Sequence, residues 1–401
     1  KPQSIMIGTA MLHTPCHIAI FVEDLKGGGA EKIAVTLANA LAARGIKVDL
    51  IMQRAVGHFL AEIAPGVQKF DIGMTDSRNP LPALIFLTGY LRSHNPDVLL
   101  AHMEKPSLLA ITAGLITGYK KIIPCVHTDL ATYAKLEHRI RRTILKHLVG
   151  FFYRFVNRII AVSAGTSAST RALIGAQAPP IHIVYNGFDL AGLQRRATEP
   201  PECGVPWFKD KDTPVIIACG RLVEQKGFDV LLQAFALLRA KTPARLVILG
   251  EGPMRGDLMR LAHILKIETD VAMPGFVSNP AACFVRSDLF VLSSRVEGLS
   301  NVLIEAMMTG IPVVCTDCPT GPREVLQGGK FGRLVPVDDV AALAEAMRAA
   351  LLSKNTNPAR DSAYRENLEI FSVGNMVAGY LDVARQAAAL TLYTASTQKP
   401  A

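Results

Sequence analysis

The chain has 401 residues, of which 50% are hydrophobic and 19% charged, with a mean hydropathy of +0.27. That balance excludes a disordered tail or a coiled coil, because ample apolar surface is available for burial, and the length predicts two or three domains of ~100–200 residues. The net charge of +9 is uneven: residues 1–190 hold 20 Lys/Arg against 12 Asp/Glu, whereas 191–401 hold 23 against 22.

The charge-free apolar stretch Pro106–Tyr119 has 14 residues, short of the ~18–20 that cross a bilayer, so no transmembrane helix is expected. Lys1–Cys16 lacks the apolar core and cleavage site of a signal peptide. The seven Cys are odd in number and scattered, which argues against a disulfide framework and for a reducing compartment. Cys315 and Cys318 form a lone CxxC and read as small buried residues at a strand end, not as half of a zinc site.

His17–Val22 is a short apolar run and predicts a buried strand. Ala30–Arg44 predicts a helix with Ile33, Leu37, Ala40 and Leu41 on one side and Gly45 as its stop. Between them lies Lys26-Gly27-Gly28-Gly29-Ala30-Glu31. Glycines there let backbone N–H groups approach an anion at a helix N-terminus, although the string is neither GxGxxG nor GxxxxGK[ST]. Val48–Met52, Val98–Leu100, Ile122–Val126 and Ile159–Val162 predict further strands with helices between, and the series ends near Ile181–Val184. His127 closes the strand Ile122–Val126; a lone His in that position is more often structural than functional.

Lys135–Arg158 carries seven cations against Glu137, with Ile140, Ile144, Leu148, Phe151 and Phe155 at helical spacing. A basic helix with bulky apolar residues reads as one that lies on an anionic membrane surface; the plain alternative is a solvated basic face. No nucleic-acid motif accompanies it, so nucleic acid is not an expected partner.

Leu193–Asp212, with Pro200, Pro201 and Pro206, reads as a linker. A second alternating series follows: strands Val215–Cys219, Leu246–Leu249, Asp288–Ser293 and Pro312–Thr316, and helices Phe228–Arg239, Met254–Lys266, Asn301–Met308 and Asp339–Leu352. Strands alternating with helices mean parallel sheets covered on both faces, and "VIIAC" and "LFVL" have the continuous apolarity this requires. The predicted fold is α/β: two doubly wound Rossmann-like domains, 1–190 and 191–365, facing a central cleft, with a C-terminal helix near 366–390 packing back on the first. Tyr364–Leu390 reads as helix and Thr391–Ala401 as a frayed end.

Ligands of such sheets bind at the carboxyl ends of the strands. Gly220–Gly227 follows the first strand of the second series and puts Arg221 and Lys226 where two cations can bind a diphosphate. Glu297–Glu305 follows a later strand: Ser300 or Asn301 can cap the next helix, the amides of Asn301, Val302 and Leu303 point from its tip, and Glu297 and Glu305 flank it. Two carboxylates around an anion-binding tip suit a phosphorylated ligand with hydroxyls on both sides, a description that fits a sugar nucleotide. No HExxH, DxD, paired CxxC or nucleophile elbow is present.

With GGGAE at Gly27–Glu31, YNGFD at Tyr185–Asp189, GRLVEQKG at Gly220–Gly227, GEGP at Gly250–Pro253, PGFV at Pro274–Val277 and E-x7-E at Glu297–Glu305 in this order, the chain resembles a family 4 glycosyltransferase of the GT-B fold. The resemblance implies retaining transfer of a sugar from a nucleotide diphosphate donor, with no resident cofactor and no essential metal. It implies that Arg221 and Lys226 hold the diphosphate, Glu305 the ribose hydroxyls, Glu297 the donor-sugar hydroxyls, and Asn301–Leu303 the distal phosphate, with Gly28 and Gly29 closing over it. His127 matches the family's active-site His. Cys318-Pro319-Thr320-Gly321-Pro322-Arg323-Glu324 departs from the family's usual Gly-rich turn and resembles a branch that builds cell-envelope polysaccharides from UDP-hexoses or UDP-N-acetylhexosamines. The implied acceptor is a glycan or polyprenyl-linked glycan, and the implied location is cytoplasmic, peripheral on the inner face of the cytoplasmic membrane and held there through 135–158. A GT-B-fold sugar-nucleotide epimerase, a phosphorylase and a non-catalytic sugar-nucleotide sensor are the competing readings; the phosphorylase lacks its pyridoxal-binding motif here.

Overall fold

A computed structural model describes residues 17–26, 28–75, 79–129, 139–209, 212–353 and 362–397. The first lobe is a seven-stranded sheet, β1 (His17–Val22), β2 (Lys47–Met52), β3 (Val67–Asp71), β4 (Val98–His102), β5 (Ile122–Val126), β6 (Ile159–Ala161) and β7 (Ile181–Ile183), in the order β3-β2-β1-β4-β5-β6-β7. Its helices are α1 (Gly29–Ala42), α2 (Leu81–His94), α3 (Glu104–Thr117), α4 (Arg139–Phe152) and α5 (Ala164–Ile174). After α6 (Leu190–Ala197) comes the second lobe. Its sheet comprises β8 (Val215–Cys219), β9 (Arg245–Leu249), β10 (Val271–Gly275), β11 (Leu289–Leu292), β12 (Val313–Thr316) and β13 (Arg333–Val335), in the order β10-β9-β8-β11-β12-β13. Helices α7 (Phe228–Arg239), α8 (Arg255–Ile264), α9 (Pro280–Phe284), α10 (Asn301–Met308), α11 (Pro322–Val325) and α12 (Val340–Leu352) accompany it, and α13 (Ser362–Glu369) and α14 (Val373–Thr397) follow.

All the strand pairs of both sheets are parallel. The inner strands β4, β5, β11 and β12 are buried at every position, as helices on both faces demand. Each sheet reverses its strand order once, between β1 and β4 and between β8 and β11. Those reversals open crevices at the carboxyl ends of the strands, and the predicted site loops follow β1, β8 and β11.

Three strands gave no sequence signal: β3, β10 and β13. All three are sheet edges. β3 exposes Gln68, Lys69 and Asp71, and β10 carries Pro274, which only an edge tolerates. The linker read at Leu193–Asp212 begins inside α6, which starts early because the Asp189 side chain accepts from the Gly192 amide at 2.9 Å. The helix read at Tyr364–Leu390 is broken between α13 and α14. There the chain bridges to the YNGFD segment: the Phe188 amide donates to the Phe371 carbonyl at 2.8 Å and the Val373 amide to the Phe188 carbonyl at 3.3 Å. From this bridge α14 returns to pack on α1 and β4. The six described cysteines are free thiols, Cys315 and Cys318 among the buried ones. Among the described residues no helix is long and apolar enough to cross a membrane.

Candidate active site

The second lobe supplies most of the charge. Gly227 has φ +61, and a Cβ there would collide with the Ser293 carbonyl, so only glycine brings the Lys226 turn this close to the end of β11. Lys226 lies alongside Gly220 and its Nζ meets Glu297 Oε1 at 2.6 Å; Ser294 Oγ donates to the same oxygen at 2.6 Å. Glu297 is 5% exposed and its main-chain carbonyl accepts from the Thr320 hydroxyl. Arg221 is exposed, and its charge acts on Glu31 across the cleft. Burial raises the Glu31 carboxyl above the ordinary range, against the pull of its backbone hydrogen bond and of Arg221.

The helix tip differs from the expectation. Ser300 sits at φ +68 and makes no side-chain cap bond; among the described residues its buried hydroxyl has no partner. The Leu303 amide is spent on the Ser300 carbonyl at 3.1 Å, so Asn301 and Val302 are the amides left at the tip. The Asn301 side chain is itself engaged by the first lobe: its Nδ2 donates to the Gly29 carbonyl at 3.0 Å and its Oδ1 accepts from Asn186 Nδ2 at 2.6 Å. Gly28 and Gly29 lie against Glu31 and Asn301 so tightly that a Cβ at either would overlap them; Gly27 lies outside the described residues. Glu305, 7% exposed, receives Lys32 of α1 at 2.5 Å.

These groups converge. The half-buried Cys219 thiol at the end of β8 is pushed up to about 12 by desolvation and by Glu305, with Lys226 and Lys32 pulling it back. Three charges from three segments thus act on one strand end, as a shared cleft requires.

His127 ends β5 and is 9% exposed. Its Nε2 is 2.9 Å from His102 Nδ1 at the end of β4, so that nitrogen is occupied by protein. Burial lowers His127 to about 4 and holds His102 well below the ordinary imidazole range, and both rings are neutral at pH 7. The His127 carbonyl sits against Gly298, where any Cβ would collide with it. Further contacts cross the cleft: Ser163 Oγ to the Gly298 carbonyl at 2.9 Å, the Ala164 amide to both Glu324 oxygens at 3.0 Å, and Tyr185 Oη to Glu324 at 2.5 Å. His58 stacks on Phe276 with centroids 4.3 Å apart. Sequence reasoning missed Lys32, His102, Ser294 and Glu324. Lys32 adjoins the GGGAE string, and that adjacency was the one available signal.

The basic segment lies partly outside the described residues, which resume at 139. Along α4 and just beyond it, Ile144, Leu148, Phe151 and Phe155 are 55, 41, 54 and 51% exposed, whereas Val149 and Tyr153 are buried. Among the described residues no group of three or more His, Cys, Asp or Glu is placed to hold a metal.

Two parallel α/β lobes, facing each other across cations, carboxylates and a helix tip, define the GT-B class of glycosyltransferase. Residues 27–191 match the family model described as "Glycosyltransferase Family 4" and residues 213–353 the one described as "Glycosyl transferases group 1". An N-acetylgalactosamine-N,N'-diacetylbacillosaminyl-diphospho-undecaprenol 4-alpha-N-acetylgalactosaminyltransferase of Campylobacter jejuni is 29% identical over 83% of this chain and 90% of its own. An uncharacterized glycosyltransferase of Haemophilus influenzae is 30% identical over 82% and 89%. The solved structure of Anabaena HepE in complex with UDP and glucose matches with TM-score 0.73 and 20% identity over 95% of this chain and 100% of that one, a likeness of fold. The chain belongs to the family 4 glycosyltransferases.

Proposed function

We propose that this glycosyltransferase moves a hexose or N-acetylhexosamine from a UDP-sugar to a lipid-linked glycan, with retention of anomeric configuration. The observation that carries the reading is the facing set Lys226–Glu297 and Lys32–Glu305, which puts an ionic cradle on either side of the α10 tip. In this reading Arg221 and Lys226 take up the charge that develops on the leaving diphosphate. Lys226 then exchanges Glu297 for phosphate, and Glu297, still held by Ser294, accepts from the hydroxyls of the donor sugar. Glu305 takes the ribose hydroxyls and the amides of Asn301 and Val302 the distal phosphate. The acceptor hydroxyl attacks from the leaving-group face, and the departing phosphate takes its proton. Neutral His127 lines the acceptor side. The two cations serve the leaving group without a resident metal or cofactor.

The lipid-linked acceptor is supported by the apolar stripe of α4 and by the undecaprenol-linked substrate named for the Campylobacter relative. The exposed Phe151 and Phe155 would lie at the headgroup boundary of the cytoplasmic leaflet, beside Lys146 and Arg154.

The test is a thermal-shift screen of nucleotide sugars, followed by transfer of the tightest binder to a polyprenyl-linked acceptor and NMR of the new linkage. Stabilisation by a UDP-sugar and an axial product from an axial donor are expected. An inverted product overturns retention. Conversion of the donor with no acceptor present favours an epimerase, and binding without any turnover favours a sensor.

A further inference from the structure

Glu305 is nearly buried, and its counter-ion comes from the opposite lobe. Lys32 Nζ approaches Oε1 at 2.5 Å, 273 residues away in sequence, with the lysine side chain 27% exposed and the glutamate side chain 9%. Among the described residues no other cation pairs with Glu305; Lys226 is paired with Glu297. The contact is registered by a neighbour: the Gly29 carbonyl holds Asn301. Gly29 and Lys32 lie three apart at the start of α1, and Asn301 and Glu305 four apart on α10, so one face of each helix start meets the other. Lys32 and Glu305 also border a cavity of about 80 Å³ between the lobes.

The pair has a chemical consequence. A nearly buried carboxylate without a cation is costly, and Lys32 supplies that cation only when the lobes meet. Lys32 takes Oε1 and fixes the plane of the carboxylate, which leaves Oε2 to accept from a ligand hydroxyl. An ionised, oriented acceptor makes the stronger hydrogen bond. We infer that Lys32 is a positioning residue through which the first lobe sets Glu305 for the ribose of the donor, so that domain closure and ribose recognition are one event. This rests on the assignment of Glu305 to the ribose above.

The experiment measures Kd for UDP, GDP and ADP, and for the 2′,3′-dideoxy form of whichever binds tightest, with the wild type, Lys32→Met, Lys32→Arg and Glu305→Gln. Removing a charged hydrogen bond of this kind costs roughly tenfold to a hundredfold. Lys32→Met is therefore expected to raise Kd for the ribose form, and KM for the donor sugar, by that factor. Its kcat should stay within about threefold, and Lys32→Arg should recover most of the loss. Against the dideoxy form Lys32→Met should cost nothing further. An equal loss against both forms, or no loss, overturns the inference: the lysine then reaches the phosphates or merely holds the lobes. Glu305→Gln separates the two failures. If it abolishes ribose discrimination while Lys32→Met leaves it intact, only the inference falls. If Glu305→Gln still discriminates, or no nucleotide binds, the assignment of Glu305 falls with it. Melting temperatures without nucleotide control for folding, and Lys32→Arg carries the test if the methionine variant is unstable.

Discussion

Lys226 and Arg221 share a proposed task but not a setting, and this separates their variants. Arg221→Ala and Lys226→Ala should each lower turnover by roughly two to four powers of ten, the usual cost of lost charge stabilisation, read by single-turnover kinetics. Arg221 is exposed, so its removal should leave the melting temperature unchanged. Loss of Lys226 strands Glu297 at 5% exposure and should lower it, an effect that Glu297→Gln in the same chain should reverse. The two histidines give a pH signature. Both are lowered by burial, His127 to about 4, so the unfolded chain binds protons that the folded chain refuses. Stability should fall as pH drops from about 6.5 towards 4, and His127→Gln should flatten that fall in denaturant titrations at pH 7.5 and pH 5. Arg221, Lys226, Glu297 and Glu305 were legible because each lies in a short string after an apolar strand. Lys32 and His102 were not, because their partners are 273 and 25 residues away and no local spacing records such a pairing.

At the scale of elements, inner strands were legible, whereas three of the four edge strands were not. Two covered faces impose continuous apolarity, whereas β3, which exposes Gln68, Lys69 and Asp71, and β13, with three residues, carry no such pattern. The helix tip was read for position but not for wiring, since the left-handed Ser300 redirects the Leu303 amide to a carbonyl. Gly298 gives a test of closure. Its missing Cβ makes room for the His127 carbonyl of the other lobe, so Gly298→Ala should cost about a hundredfold in kcat/KM through a misplacement near 1 Å while leaving the melting temperature of the free enzyme within a degree or two. For α4, the double variant Phe151→Asp/Phe155→Asp should abolish sedimentation with anionic vesicles and spare turnover on a short soluble acceptor. Equal sedimentation of the wild type with anionic and neutral vesicles would end the membrane reading.

Across the whole molecule, residues proposed to bind the donor also join the lobes. Asn301 and Glu305 touch the first lobe, as does Gly298, so on the proposed assignment a donor enters by parting these contacts. Small-angle scattering should show the radius of gyration rise when Lys32→Met and Tyr185→Phe are combined, and fall again on addition of nucleotide. An unchanged profile would mean that the core shared by the lobes holds them without these contacts. Two-lobed architecture was readable from repeated strand–helix alternation, but the shared core was not, because no single segment encodes it.

The polypeptide passes between the lobes twice, at Phe188 and again at Phe371–Val373, and the two passages are bonded side by side. Gly187 is wedged there against Ser372, Val373 and Met376. A body attached at one point can swivel freely; one attached along a short seam can only rock about it. Any opening is therefore expected to follow one rotation about this seam, which would bring Lys32 back to the same carboxylate on closing.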